Sequence, residues 1–191
     1  MIAIRNDMDM TMNIHDTTIR RANAEDSWAL VELLREPCVA ITGQDRHAGP
    51  GSADNIAIDE IIGEQVDTVV AEAREGLQGV LQLRWGMRPP SMSWIRGSVE
   101  LKQHYVRARH RGAGVASRML ESALRLAEQR EAACIWLKVR KESSQAVHFY
   151  QQHGFRIAGT TLFRDGVLPH EGWVMHRTLP VPHRAGYHAL M

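Results

Sequence analysis

The sequence predicts an α/β (α+β) domain: a mixed central sheet of about seven strands with flanking helices. Three observations carry the prediction. Short apolar or alternating runs of strand length recur between turn signals. One segment, Gly112 to Arg130, carries the spacing of a long amphipathic helix. The length of 191 residues suits a single domain, at roughly 150 residues per domain as a prior. Hydrophobic residues make up 44% and charged residues 24%, which excludes a disordered polyampholyte and a fibrous chain.

Residues 1–16 follow neither the helical nor the strand period, so a flexible tail is expected there, with the domain over 17–179 and a C-terminal tail over 180–191. Thr17 to Ala22 reads as a strand. Ala24 to Leu34 reads as a helix with Asn23 as N-cap, burying Trp28, Leu30, Val31 and Leu34 and closed by Pro37. Thr42 to Asn55 is rich in Gly, Pro, Ser and Asp and reads as a loop, followed by a short helix around Ile58 to Ile62. Thr68–Ala73 and Leu77–Trp85, joined by Arg74, Glu75 and Gly76, predict an antiparallel hairpin.

Gly86 to Gly97, with Pro89 and Pro90, is a second loop, and Ser98 to Val106 a strand. The helix from Gly112 to Arg130 buries Val115, Ala116, Met119, Leu120, Ala123, Leu124 and Ala127, leaving Ser117, Arg118, Glu121, Arg125 and Glu128 to water. Ala133 to Val139 is a buried strand. Ser143 or Ser144 caps a shorter helix carrying Ala146, Val147, Phe149 and Tyr150, which Gly154 ends in the left-handed conformation. Phe155–Phe163 and Gly172–Leu179 are the last two strands.

Several function classes are excluded. The longest apolar run, Ala132 to Leu137, has six residues against the roughly twenty a bilayer requires, so no membrane span is expected. The first sixteen residues carry Arg5, Asp7, Asp9 and Asp16 without an apolar h-region or a cleavage site, which makes the cytoplasm the expected location. Cys38 and Cys134 are far apart and in no C-x-x-C pattern, so both are read as small buried hydrophobes. The ten histidines show no metal-ligand spacing; no metal is expected, and most of them are assigned to the surface.

Net charge is only +1, yet Leu101 to Arg118 holds Lys102, Arg107, Arg109, Arg111 and Arg118 with no acidic residue, a local field that attracts phosphate. Nucleic acid is not the expected source of that phosphate, because the segment has no aromatic stacking platform and no helix-turn-helix spacing. The order of elements points elsewhere. A strand ending at Val106 leads through a basic turn into Gly112-Ala113-Gly114-Val115-Ala116 and a long helix. Small residues at a helix N-terminus leave the backbone N–H groups unobstructed, with the positive end of the dipole behind them, and such a site suits a pyrophosphate. A glycine-rich turn that only starts a helix remains an alternative at this point. Neither the third glycine of a dinucleotide-binding fingerprint nor the G-K-[ST] of a Walker A loop is present.

Arg111-Gly112-Ala113-Gly114-Val115-Ala116 resembles the phosphate-loop pattern [Q/R]-x-x-G-x-[G/A] of the GNAT superfamily of acetyl-CoA-dependent N-acetyltransferases. Arg109-x-x-Gly112-x-Gly114 also fits as a string, but the first register keeps Tyr105-Val106 on the preceding strand. About thirty residues downstream, Ala146-Val147-His148-Phe149-Tyr150-Gln151-Gln152-His153-Gly154-Phe155 is similar to the A-x-x-F-Y-x-x-x-G-F block of that superfamily. The order of elements from Thr17 to Leu179 also fits. Glu100 to Val106 and Ile135 to Val139 look like a bacterial branch that includes polyamine acetyltransferases. Two departures stand out: Ser143 replaces the branch's usual Asn, weakening a contact to pantetheine while still able to cap its helix, and Arg140-Lys141 replaces Trp-Glu.

The resemblance implies acetyl transfer by direct attack in a ternary complex, with acetyl-CoA as co-substrate and a small-molecule amine as acceptor. An alkylammonium with a pKa near 10.4 must first lose a proton, the carbonyl oxyanion needs an N–H donor, and the departing thiolate needs a proton. The resemblance assigns the donor to a β-bulge at the end of the fourth strand, with His104, Tyr105 and Val106 along the cofactor and the Val106 N–H facing the oxyanion. Arg111, Gly112, Ala113, Gly114, Val115, Ala116 and Ser143 complete the implied cofactor site. Glu100, six residues before Val106, is the implied base; a strand-edge carboxylate paired with Lys102 or Arg107 is the alternative.

Tyr150 is the implied acid to the sulfur, against a core aromatic, and Phe149 is read as core. Trp85, Trp136 and Trp173 are core or pocket wall. Acceptor specificity is expected in the loop holding Asp45 and Asp54 and near the last strands, at Asp165 and Glu171. Those carboxylates favour a cationic amine, a polyamine first, then a peptide N-terminus, a lysine or an amine antibiotic, unless they are simply solvated. An acyl-CoA-binding regulatory module without turnover is the remaining alternative, and a homodimer is open.

Overall fold

The computed structural model describes residues 17–35, 62–163 and 169–180. The elements are β1 (Thr18–Arg21), α1 (Ser27–Arg35), β2 (Val66–Ala73), β3 (Gly76–Trp85), β4 (Ser98–Val106), α2 (Val115–Gln129), β5 (Cys134–Arg140), α3 (Ser144–Gln152), β6 (Arg156–Phe163) and β7 (His170–Thr178). The seven strands form one sheet in the order β1-β2-β3-β4-β5-β7-β6. Every neighbouring pair is antiparallel except β4 and β5, which run parallel. The expected mixed sheet with flanking helices is what forms. The expected tail at 1–16, nearly all of the tail at 180–191, Pro37, Cys38, the loop Thr42–Asn55 and most of the helix at Ile58–Ile62 lie outside the described residues.

Strand alternation sends successive side chains to opposite faces, and each face carries its own apolar cluster. Val69, Ala71, Leu81, Leu83, Val99, Leu101, Ile135 and Leu137 meet Met119, Leu120 and Ala123 of α2 and Tyr150 of α3 on one face. Val70, Val80 and Tyr105 meet Leu30, Leu33 and Leu34 of α1 on the other. Asn23 caps the entry to α1 as expected: its side chain accepts from the Glu25 N–H and its own N–H donates to Asp26, a reciprocal pair that starts one 3₁₀ turn before the α-helix proper. Trp28, expected inside, is 71% exposed. Leu30, Leu33 and Leu34 set the buried stripe, and Trp28 falls about half a turn away from it.

Two features of β4 position the site. Gln82 pairs with Gln103 but Leu83 pairs with Leu101, so Lys102 is an unopposed bulge residue. The extra residue reverses the alternation: Val99 and Leu101 face α2 before it, and Val106 faces α2 after it. The bulge therefore lies in mid-strand, correcting its expected place at the end of β4. Second, β4 pairs with β5 only from Ser98 to Glu100, against Cys134 to Trp136, and the two strands part beyond that point.

The loop between β3 and β4 folds back over the sheet on the side of Trp136. The Met87 carbonyl accepts from Ser98 Oγ at 2.8 Å and from Trp136 Nε1 at 3.1 Å. At Gly159 of β6 a Cβ would stand 2.8 Å from Ser91 Cβ, so glycine is what admits the loop there. The histidines do not all stay at the surface. His104 and His110 are 0% and 2% exposed, because the shifted phase of β4 and the turn after it carry both inward.

Candidate active site

After β4 the chain makes one 3₁₀ turn, Ala108–His110, then passes through Arg111 to Gly114 into α2. Gly112 and Gly114 have φ of +78° and +73°, conformations that L side chains rarely adopt, and α2 accordingly begins at Val115 and not at Gly112. A Cβ built on either glycine would meet nothing within 4 Å, so the space over both is open. The first N–H groups of α2 have no partner within the helix and point into that space.

The opening is a cavity of about 700 Å³, walled by Val106, Arg111, Gly112 and Gly114 to Ser117 on one side and by Ser143, Ala146 and Phe149 at the start of α3 on the other. An open backbone cradle at a helix N-terminus, continued by an apolar wall, fits a pyrophosphate followed by a pantetheine arm. The structure thus brings together most of the cofactor residues read from the sequence. Three are placed differently. Ala113 packs against the apolar core. Tyr105 is buried among the α1 cluster, and His104 is wholly enclosed behind the cavity wall, because a strand can turn only alternate side chains to one face.

The basic segment is largely committed to the protein itself. Arg111 Nε donates to the Val106 carbonyl at 2.9 Å, fixing the end of β4. Arg118 donates to the Thr17 carbonyl at 2.7 Å. Arg109 Nε donates to His110 Nε2 at 2.9 Å, and since a guanidinium can only donate, that nitrogen is unprotonated and the ring proton sits on Nδ1. Nδ1 is buried without a partner in a residue that borders the cavity. Burial, then the Arg109 charge, holds His110 below the ordinary histidine pKa. Arg107 N–H donates to the Gln78 carbonyl of β3 at 2.9 Å. By alternation the Val106 N–H therefore points the other way, into the gap where β5 has parted from β4.

Ser143 stands at the N-cap of α3 and lines the cavity, but its hydroxyl makes no capping bond, correcting the expected cap; its carbonyl accepts from the Val147 N–H at 3.0 Å. Tyr150 is 0% exposed, its ring edge-on to Phe149 and Phe155 at centroid distances of 5.2 and 5.3 Å. Its hydroxyl lies 3.2 Å from His104 Nδ1. Burial pushes Tyr150 above the ordinary phenol range. Burial also pushes His104 down to about 3, with the Ala116 backbone pulling the other way. Both groups are neutral at pH 7.

Glu100 is 4% exposed, and its carboxylate lies 3.4 Å from Lys138 Nζ on β5. Neither Lys102 nor Arg107 is that partner, and β4 is a central strand, so the alternative of an edge carboxylate paired with one of them does not hold. The parallel register that brings Lys138 close is set by two strands together, and no local spacing signals it. Glu100 precedes the bulge and His104 follows it, so these even-numbered residues face opposite sides of the sheet. Glu100 is on the α1 side with the buried Gln82, Gln103 and Thr68; Tyr150 is on the α2 and α3 side. Of the expected acceptor carboxylates, Glu171 pairs with Lys141 at 2.7 Å, and Asp45, Asp54 and Asp165 lie outside the described residues. Trp85 and Trp173 are half-buried against the core and Trp136 is buried.

This fold recurs among solved structures. A GNAT-family acetyltransferase from Streptococcus pneumoniae superposes with a TM-score of 0.65 at 20% identity, over 86% of this chain and 99% of that one. The ribosomal-protein-S18-alanine N-acetyltransferase from Escherichia coli gives 0.62 at 20% identity over 92% and 99%. The spermidine N-acetyltransferase from Vibrio cholerae, in complex with CoA and spermine, gives 0.64 at 19% over 86% and 96%. No curated protein sequence matches the chain. The profile of the acetyltransferase (GNAT) family matches residues 54–155, more than half of the sequence and the whole of the phosphate loop and the Phe149-Tyr150 helix. The chain therefore belongs to the GNAT family and is an acetyl-CoA-dependent acyltransferase.

Proposed function

We propose that the protein moves an acetyl group from acetyl-CoA to a primary amine by direct attack in a ternary complex, in the cytoplasm, and that a polyamine is the first acceptor to test. The observation that carries this reading is the gap between β4 and β5, which has the helix N-terminus and its 700 Å³ cavity on one side and a buried carboxylate on the other. The Arg111 to Ala116 segment holds the pyrophosphate through backbone N–H groups, and Ser143 and Phe149 flank the pantetheine arm. The Val106 N–H, directed into the gap, donates to the carbonyl oxygen as it gains charge. Glu100 takes the ammonium proton, directly or through a water, and Tyr150 gives a proton to the departing thiolate.

A peptide or protein amine is the second reading, and Lys138 supports it. A half-exposed cation beside Glu100 repels the further charges of a polyamine, whereas peptide carbonyls would accept from it. Initial rates of thiol release from acetyl-CoA with spermidine, with an alanyl peptide and with a blocked lysine separate the acceptors. Wild-type protein is expected to release thiol saturably with one of them, and Glu100→Gln to lower kcat by about 10²-fold with little change in the KM for acetyl-CoA. Release no faster with any amine than without would overturn transfer and leave an acyl-CoA-binding module.

A further inference from the structure

A second cavity, of about 310 Å³, lies at the other end of β4 and α2 from the cofactor cavity, with Trp85, Arg88, Ile95, Arg96, Arg130 and Glu131 among its walls. Val106 and Val115 border the first cavity, whereas Ser98 and Arg130 border this one, so the nine residues of β4, about 26 Å of strand, separate them. The loop between β3 and β4 leaves and rejoins the sheet through Gly86 and Gly97, at φ of +75° and +69°. Its stems are tied down. The Met87 carbonyl accepts from Ser98 Oγ and Trp136 Nε1, and the Gly97 carbonyl accepts from the Ala133 N–H at 2.8 Å. Arg88 and Arg96 adjoin those tied residues, and both line the same cavity.

Arg130, also in the wall, is already committed, answering Asp67 and stacking on Trp85. Arg88 and Arg96 are exposed, and their side chains have no hydrogen-bond or ion-pair partner among the described residues. Glu131 is the one carboxylate among the lining residues, and it too has no such partner. Like charges gathered round one concave space repel each other, and an anion between them relieves the repulsion. Two guanidinium forks that nothing else occupies match the oxygens and the double charge of a phosphomonoester. The cavity is also of the size that encloses a small metabolite, about 300 Å³ or more, and so has room beyond a bare phosphate ion.

We propose that this cavity is a second binding site, for a small phosphomonoester that carries hydroxyl groups beside its phosphate. Arg88 and Arg96 grip the phosphate oxygens, the Trp85–Arg130 stack supplies a rigid wall, and Glu131 accepts from a hydroxyl. A sugar phosphate and a nucleotide share this chemistry. Calorimetry on the full chain saturated with acetyl-CoA, which fills the first phosphate cradle, separates them with glucose 6-phosphate and AMP as probes. One of the two is expected to bind saturably with a dissociation constant below about 1 mM, and its parent, glucose or adenosine, about 10-fold more weakly or worse. Tighter binding of glucose 6-phosphate assigns the site to sugar phosphates, and tighter binding of AMP assigns it to nucleotides. Arg88→Ala with Arg96→Ala should weaken that binding by about 10-fold or more, while acetyl-CoA affinity and the thermal midpoint stay those of wild type. No saturable binding of either phosphate up to about 10 mM would overturn the proposal. Equal binding of the unphosphorylated parents, or undiminished binding in the double variant, would overturn it as well.

Discussion

Two buried polar clusters in this molecule are built on opposite principles. Asp67 is 2% exposed and accepts from Arg21, from Arg130 Nη1 at 2.6 Å and from Trp85 Nε1 at 2.8 Å, with the Arg130 guanidinium stacked 3.9 Å over the Trp85 ring. It joins β1, β2, β3 and the end of α2, and each of its oxygens is answered. The His104–Tyr150 pair has one hydrogen bond and one orphaned nitrogen, and His110, another buried histidine with an orphaned nitrogen, borders the cavity. A satisfied network has one low-energy arrangement and fixes geometry. A half-satisfied pair keeps hydrogen-bonding capacity in reserve, which suits the wall of a reaction site.

The largest expected effect concerns the cavity that gives the second cluster its meaning. Gly114→Val puts a β-branched side chain at φ +73° and into the open space above the helix N-terminus. Calorimetric affinity for acetyl-CoA should fall by about 10³-fold, since several short directed hydrogen bonds are lost together, while circular dichroism stays that of the folded protein. An affinity within a few-fold of wild type would detach the cavity from the cofactor and the comparison from catalysis.

A smaller effect, of another kind, is expected at the satisfied cluster. Asp67→Ala should lower the unfolding free energy by about 2 to 3 kcal/mol in urea titration, because it removes charge-assisted bonds while its arginine partners can turn to solvent. Single-turnover rate and acetyl-CoA affinity should stay within about twofold of wild type. A large kinetic loss with little loss of stability would reverse the roles assigned to the two clusters.

Much of this arrangement was legible in the sequence where the signal is local. Ser98–Val106 is the expected strand to the residue, and Gly112 and Gly114 announce a backbone that must turn left-handed in front of a helix. What was illegible depends on two strands at once. Lys138 reaches Glu100 through the β4–β5 register, and Arg130 and Arg21 reach Asp67 across three strands and a helix end. The bulge did leave a trace: Val99 and Leu101 share a face with Val106, an odd number of residues away, which strict alternation forbids. Reading that break would have turned His104 towards α3. Trp28 carries an apolar side chain outside the buried stripe, which Leu30, Leu33 and Leu34 already complete.

The most direct test of the account is a single-turnover measurement of thiol formation by Tyr150→Phe at saturating acetyl-CoA, paired with its calorimetric dissociation constant. The substitution removes one hydroxyl and keeps the ring that packs against Phe149 and Phe155. A rate lower by about 10²-fold or more, with acetyl-CoA affinity within about twofold of wild type, is the predicted result. An unchanged rate of thiol formation would contradict the claim that Tyr150 gives the proton to the departing thiolate.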